Sequence, residues 1–113
     1  MTMTANTRKI DGVSIVDLAG KITIGEGTIF LKDAVRNLLQ RNEKRIVLNL
    51  ADVSYIDSSG IGELVSSFTT VGNQGGKLKL LNLTKKVHDL LSITKLLTVF
   101  EVFDDEAKAI QSF

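Results

Sequence analysis

Apolar and polar residues follow two periods along this chain, one typical of strands and one typical of helices. Strand-like stretches, either alternating or continuously apolar, cover residues 7–10, 13–18, 45–50, 77–83 and 98–103. Stretches with apolar residues three and four positions apart, as on one face of a helix, cover residues 28–41, 61–71, 84–91 and 107–112. The pattern therefore predicts strands and helices in alternation along most of the chain.

The first two strands form a predicted hairpin. Asp11 and Gly12 supply the two positive-φ positions of a type I′ turn. Ala19-Gly20 is expected to break the second strand, and residues 21–24 either extend it or form a further short strand. The strand over residues 45–50 is apolar on both faces, which is typical of a central strand in an α/β sheet. We therefore predict one α/β domain over residues 1–113. It has a frayed start at 1–6, an N-terminal hairpin, a mixed but mostly parallel sheet and about four helices.

The amino-acid composition excludes several kinds of site and of partner. The 113 residues contain no cysteine and one histidine, which excludes disulfides, thiolate metal sites and thiol catalysis. The 14 basic and 13 acidic residues are interspersed, without the dense basic patch of a nucleic-acid-binding protein. No apolar run approaches the ~20 residues of a membrane span, and the start lacks the apolar core of a secretory signal. A cytoplasmic protein with no direct contact to nucleic acid or membrane is expected.

Helix starts are marked by capping residues, and one of them stands out. Thr28 and Thr84 are predicted N-caps, and Asp104-Asp105-Glu106 marks the start of the last helix. At Asp57-Ser58-Ser59-Gly60 the pattern changes from strand to helix, so capping is the plainest interpretation there too. The first turn of a helix also carries unpaired N–H groups and a partial positive charge, which suit a phosphate added to a serine. The two interpretations are compatible.

Nucleotide binding fits the sequence poorly. Residues 72–77 have the glycine-rich character of a phosphate loop, but Val71 and Leu78 stand where glycine and Ser or Thr are needed. Gly25-Glu26-Gly27 has Phe30 where a dinucleotide fingerprint needs glycine. These glycines are therefore interpreted as turn residues.

Hydrolysis and metal binding fit no better. A serine hydrolase would need the lone histidine, His88, as its base, and no Gly-x-Ser-x-Gly motif is present. The carboxylates of Asp104-Asp105-Glu106 have no cysteine and only that one histidine to complete a metal site, and they suit a helix start instead.

The central part of the chain resembles the STAS domain (sulphate transporter and anti-sigma factor antagonist). The resemblance is carried by Ile46-Val47-Leu48-Asn49-Leu50 and by the stretch Val53-Ser54-Tyr55-Ile56-Asp57-Ser58-Ser59-Gly60-Ile61-Gly62. Gly20, the helix from about Glu26 and the stretch 92–100 fall in the matching order. Within the family, the chain is most similar to free-standing bacterial anti-sigma factor antagonists.

This resemblance implies a partner-switching mechanism. An unphosphorylated antagonist binds an anti-sigma factor that is also a serine kinase, and thereby frees a sigma factor. The kinase then phosphorylates the serine that follows the aspartate, here Ser58, and the complex dissociates until a serine phosphatase resets it. The resemblance implies a monomer or weak dimer that needs no cofactor and has no catalytic residue of its own.

The resemblance also implies a contact surface around Ser58. Family antagonists often carry an acidic residue where this chain has the neutral Thr23, and the loop from Gly20 to Thr28 is expected to lie near the serine. Asp57 is expected to cap the helix. We expect partner contacts from Thr23, Asp57, Ser59, Gly60, Ile61 and Gly62.

Two hypotheses of other classes remain open. In one, the same fold is a STAS scaffold of a stress-sensing assembly or a small subunit of a lipid transporter, and the Ser58 loop is a static docking surface. Gel filtration distinguishes this hypothesis from the first, because a scaffold assembles into large particles. In the other, the chain is an enzyme that acts through Ser58, which lacks an evident base.

Overall fold

The computed structural model of this chain describes residues 3–113. Within them, five strands form one sheet and four helices pack against it. The strands are β1 (Thr4–Ile10), β2 (Val13–Ile22), β3 (Arg45–Ile56), β4 (Lys77–Leu81) and β5 (Val102–Phe103). The helices are α1 (Glu26–Gln40), α2 (Ser58–Asn73), α3 (Lys85–Ile93) and α4 (Glu106–Gln111). None of the helices in this part of the chain is both long enough and apolar enough to cross a bilayer.

The strands lie in the order β1-β2-β3-β4-β5. β1 is antiparallel to β2, and each later neighbour pair is parallel. Asp11 and Gly12 join β1 to β2 with φ values of 52° and 80°, as the predicted hairpin turn requires. The predicted α/β fold with a mixed, mostly parallel sheet is confirmed.

Both faces of the sheet are covered by helices. Successive side chains of a strand point to opposite faces, and the central strands are apolar on both. Val16 and Leu48 join the larger core under α1, α2 and α3, whereas Ile15 and Val47 join a smaller cluster with Ala109 of α4. The two-sided apolar pattern of residues 45–50 is thus explained by a central strand covered on both faces.

The end of β2 and the end of β3 continue together beyond β4. β3 pairs with β4 only as far as Asn49, but it pairs with β2 as far as Ile56. The predicted break at Ala19–Gly20 and the predicted strand end at residue 50 are therefore wrong. Gly20 keeps the strand going with a φ of 114°, and register shifts on either side of it absorb the irregularity. We call residues 19–22 and 52–56 the β2–β3 ribbon.

The start of the chain is more ordered than its polar sequence indicates. Residues 1–6 were predicted to fray, but Thr4–Asn6 belong to β1 and pair with Asp17–Ala19 of β2. Met3 is buried in the larger core, and its N–H donates to Glu26 Oε1. Ladder hydrogen bonds and one buried side chain thus fix this segment. Residues 1 and 2 lie outside the described part of the chain.

Of the two predicted threonine caps, Thr84 is confirmed and Thr28 is wrong, and the predicted acidic start of the last helix contains a cap at Asp105. The Thr84 hydroxyl accepts from Val87 N at 3.3 Å, and the Asp105 carboxylate accepts from Lys108 N at 3.1 Å. Thr28 is not a cap, because α1 begins two residues earlier, after Gly25, and the Thr28 hydroxyl instead donates to the Gly25 carbonyl at 3.0 Å.

The last two predicted strands are shorter than expected. β4 ends at Leu81 rather than at residue 83, where Asn82 takes a φ of 57°. β5 comprises only Val102–Phe103, because the chain turns on itself before that point. This turn brings Phe100 into the core, where its ring meets that of Phe68 edge to face at 5.2 Å. Packing of this aromatic pair thus replaces strand pairing over residues 98–100, whereas the Glu101 carbonyl already accepts from Leu80 N at 3.0 Å.

Candidate functional site

The predicted serine lies on the surface, at the point where a parallel strand gives way to a helix. β3 ends at Ile56, Asp57 follows, and Ser58 is the first residue of α2. The Ser58 side chain is exposed. It therefore lies at the carboxyl end of a parallel strand, where open α/β sheets usually carry their sites, and it is accessible to another protein.

Asp57 fixes the geometry of this corner. Its Oδ1 accepts from Gly60 N at 2.8 Å, which is an N-cap bond, and its Oδ2 accepts from Ile24 N at 3.0 Å. The N–H groups of Ile24 and then Gly60 hold the pKa of this carboxyl below its usual range. The predicted capping role is confirmed. Because both oxygens accept backbone hydrogen bonds, the carboxylate is poorly placed to act as a base toward Ser58.

Gly60 and Ile61 shape the site from below. Both are buried, and a Cβ on Gly60 would overlap the Ile22 carbonyl oxygen and lie 2.6 Å from Ile56 Cγ1. Both belong to the first turn of α2 and are buried there, and the partner contacts expected of them stay predictions. Ser59 is half-buried and Gly62 is exposed, so both are accessible at the surface.

The loop between β2 and α1 lies beside the serine, as expected. Thr23 is half-buried, and its carbonyl accepts from Thr28 N at 3.1 Å, which closes the loop on itself. The bond from Ile24 N to Asp57 ties this loop to the start of α2. Thr23, Asp57 and the exposed edge of the first turn of α2 are therefore brought together.

Sequence reasoning missed one prominent residue of this loop. Ile24 is 77% exposed, although it is fully aliphatic and its backbone is held by Asp57. The available signal was an isoleucine immediately before the Gly25-Glu26-Gly27 turn, where neither a strand nor a helix could bury it.

The residues proposed for other chemistries lie elsewhere. His88 is exposed on α3, with its Nδ1 3.5 Å from Asp89 Oδ1. Asp105 caps α4 and Glu106 binds Arg8, with Oε1 to Nη2 at 2.7 Å, so these carboxylates have structural partners. Within residues 3–113, no three His, Cys, Asp or Glu side chains are grouped to hold a metal ion.

Comparison with known proteins agrees with this architecture. The STAS domain family model matches residues 4–109. The anti-sigma-B factor antagonist of Bacillus subtilis is 37% identical over 87 residues, covering 77% of this chain and 78% of that protein. The anti-sigma F factor antagonist of Paenibacillus polymyxa is 26% identical over 99 residues, covering 88% and 85%.

A solved structure supports the fold independently. The crystal structure of an anti-sigma factor antagonist from Mycobacterium paratuberculosis superposes with a TM-score of 0.83 at 20% identity, covering 98% of this chain and 93% of that one. The family match spans both edges of the sheet and the serine corner between them. The chain therefore belongs to the STAS domain family, within its group of anti-sigma factor antagonists.

Proposed function

We propose that this protein is a phosphorylation-controlled antagonist in the cytoplasm. In its unphosphorylated form it binds an anti-sigma factor that is also a serine kinase, and so frees a sigma factor. The kinase phosphorylates Ser58, the complex dissociates, and a serine phosphatase restores the first state. The chain itself acts by binding rather than by catalysis, and needs no cofactor.

The observation that carries this proposal is that the Ser58 hydroxyl is exposed while the hydrogen bonds that fix the start of α2 do not involve it. Asp57 rather than Ser58 caps α2, so modification of the serine leaves the cap bond to Gly60 in place. The positive end of the helix partly offsets the added charge of about −1.5 to −2. The folded protein can thus accept the phosphate with little rearrangement.

The partner bears most of the energetic cost. A surface shaped for a neutral hydroxyl would meet a bulky dianion beside the Asp57 carboxylate. A loss of about 2.7 kcal/mol already lowers affinity a hundredfold, and like-charge or desolvation penalties at interfaces reach several kcal/mol. Release therefore needs no refolding of the antagonist.

The test uses Ser58→Ala as bait to isolate the kinase from the source organism, followed by binding and phosphate-transfer assays with the purified pair. We expect Ser58→Ala to retain binding and to lose phosphate incorporation, and Ser58→Asp to bind at least tenfold more weakly. Ser59→Ala, one residue along the same turn, is the matched control and should still be phosphorylated.

Two results would contradict the proposal. Phosphate incorporation that survives in Ser58→Ala and disappears in Ser59→Ala would assign the wrong hydroxyl. Sedimentation of the purified chain as a large particle, rather than as a monomer or weak dimer, would favour the scaffold hypothesis.

A further inference from the structure

An apolar groove lies beside the β2–β3 ribbon, between it and α3. Its volume is about 480 Å³. Ile93 at the end of α3 is 76% exposed, and Tyr55 on the ribbon is 39% exposed. Leu90 of α3 is partly buried and packs against the larger core. The residues lining what we call the Tyr55 groove are Tyr55, Lys85, Lys86, Asp89, Leu90 and Ile93.

The rim of the Tyr55 groove is positively charged. Lys86 Nζ lies 5.0 Å from the centroid of the Tyr55 ring, a cation–π distance. Lys21, also exposed, is the register partner of Tyr55 on β2, and register partners of a parallel pair point to the same face. Asp89 is the one carboxylate among the lining residues, and Lys85 Nζ binds its Oδ2 at 2.9 Å. Within residues 3–113, neither Lys21 nor Lys86 has a carboxylate within ion-pair distance, so their charges can attract an acidic partner.

One backbone group of β3 beside the groove is already bonded by a side chain. The Val53 carbonyl, on the side of β3 that β4 no longer covers, accepts from the Thr84 hydroxyl at 3.4 Å. Leu90 and Ile93 are three residues apart on α3 and present one apolar ridge. Recognition here therefore rests on apolar packing and charge, the mode by which an amphipathic helix enters a groove.

We propose that the Tyr55 groove docks an acidic amphipathic helix of a partner protein, with its apolar face on Tyr55, Leu90 and Ile93 and its carboxylates toward Lys21 and Lys86. This contact is additional to the Ser58 corner. Tyr55 is three residues before Ser58, a reach of at most about 10 Å. A partner seated in the groove is therefore held within reach of the serine.

The proposal is tested with a fluorescein-labelled peptide of ~18 residues that carries leucine on one helix face and glutamate on the other. Fluorescence anisotropy measures its affinity for the full chain, and amide chemical shifts locate its contacts. We expect micromolar binding that weakens as salt is raised. Ile93→Glu and Lys86→Glu should each reduce affinity at least tenfold. Ile29→Glu, on the exposed face of α1, is the matched control and should not.

Several outcomes would overturn the proposal. One is that a peptide with every glutamate replaced by lysine binds as tightly as the acidic peptide. Another is that Lys86→Glu leaves the affinity unchanged, and a third is that no peptide binds at millimolar concentration. Shifts confined to the loop at Ile24 would place the peptide elsewhere. A concentration-dependent dimer that Ile93→Glu dissociates would assign the groove to a second copy of the chain. Circular dichroism checks that each variant is folded. If Ile93→Glu does not fold, the affinity of Lys86→Glu decides the test.

Discussion

At the scale of single residues, Asp57 joins two segments that lie 33 residues apart in the chain. One carboxylate oxygen caps α2 and the other holds the loop that carries Ile24. The side chain therefore couples the serine corner to the exposed aliphatic residue beside it. A change in the charge of this carboxylate reaches both segments together.

The lowered pKa of Asp57 predicts a pH dependence of stability. Since the folded-state pKa lies below the unfolded value of about 4, the ionised carboxylate stabilises the protein above that value and loses this effect as pH falls through the folded-state pKa. Asp57→Asn should therefore be less stable than the parent at pH 7, with the difference shrinking below about pH 4. Urea denaturation across this range measures it.

The control for this experiment is Asp33→Asn on the exposed face of α1. Its stability should follow that of the parent protein at each pH. A difference for Asp57→Asn that stays constant from pH 7 to pH 3 would show that the carboxylate charge is not involved.

At the scale of elements, the start of α2 lies against the end of β2 because residue 60 has no side chain. Gly60→Ala should force the two apart and destabilise the protein by roughly 1–3 kcal/mol or more. Gly62→Ala is the matched control in the same helix, where a Cβ meets nothing within 4 Å, and should stabilise by about 0.5–1 kcal/mol. Equal unfolding free energies for the two variants would contradict this close approach.

The types of these elements could be predicted from local pattern, but several of their limits could not. The helical spacing of apolar residues around Leu31 and Leu64 is a local pattern, and it is enough to predict a helix at each place. The length of β3 depends instead on pairing with β2 more than thirty residues away and on the positive φ of Gly20. The burial of Phe100 depends likewise on Phe68, which the local sequence around residue 100 does not contain.

In the candidate site, too, some features could be predicted from local sequence and others could not. Ser58 and Asp57 could be placed because strand and helix patterns meet there, and the family resemblance identified the serine. The burial of Gly60 and Ile61 and the exposure of Ile24 follow from how α2 and the loop pack on the end of β2. Sequence periodicity carries no information about that packing.

At the scale of the whole molecule, a buried lysine joins the sheet to the end of the chain on the face that carries the smaller apolar cluster. Lys79 is 2% exposed on β4, and its Nζ donates to the Ser112 carbonyl and hydroxyl, each at 2.9 Å, just beyond α4. The same Nζ lies 4.5 Å from the Phe113 ring centroid and 3.3 Å from Glu101 Oε2. Its charge is thus satisfied by the segment that closes this face.

Removing this ammonium should release α4. We expect Lys79→Ala to lower the free energy of unfolding by about 2–4 kcal/mol and to speed amide exchange in Glu106–Gln111 before the rest of the sheet. Lys77→Ala, exposed on the same strand, is the control and should change neither quantity. Undiminished protection of α4 in Lys79→Ala would show that apolar contacts alone hold it.

The β2–β3 ribbon sets a rule for redesigning this protein. Along it, Lys21 and Tyr55 face solvent whereas their neighbours Ile22 and Ile56 are in the core. Substituting the outward pair can retarget the molecule to new binding proteins while the fold stays intact. A one-residue insertion or deletion that no further bulge absorbs would exchange the two sets, turning Lys21 toward the core and Ile22 toward solvent.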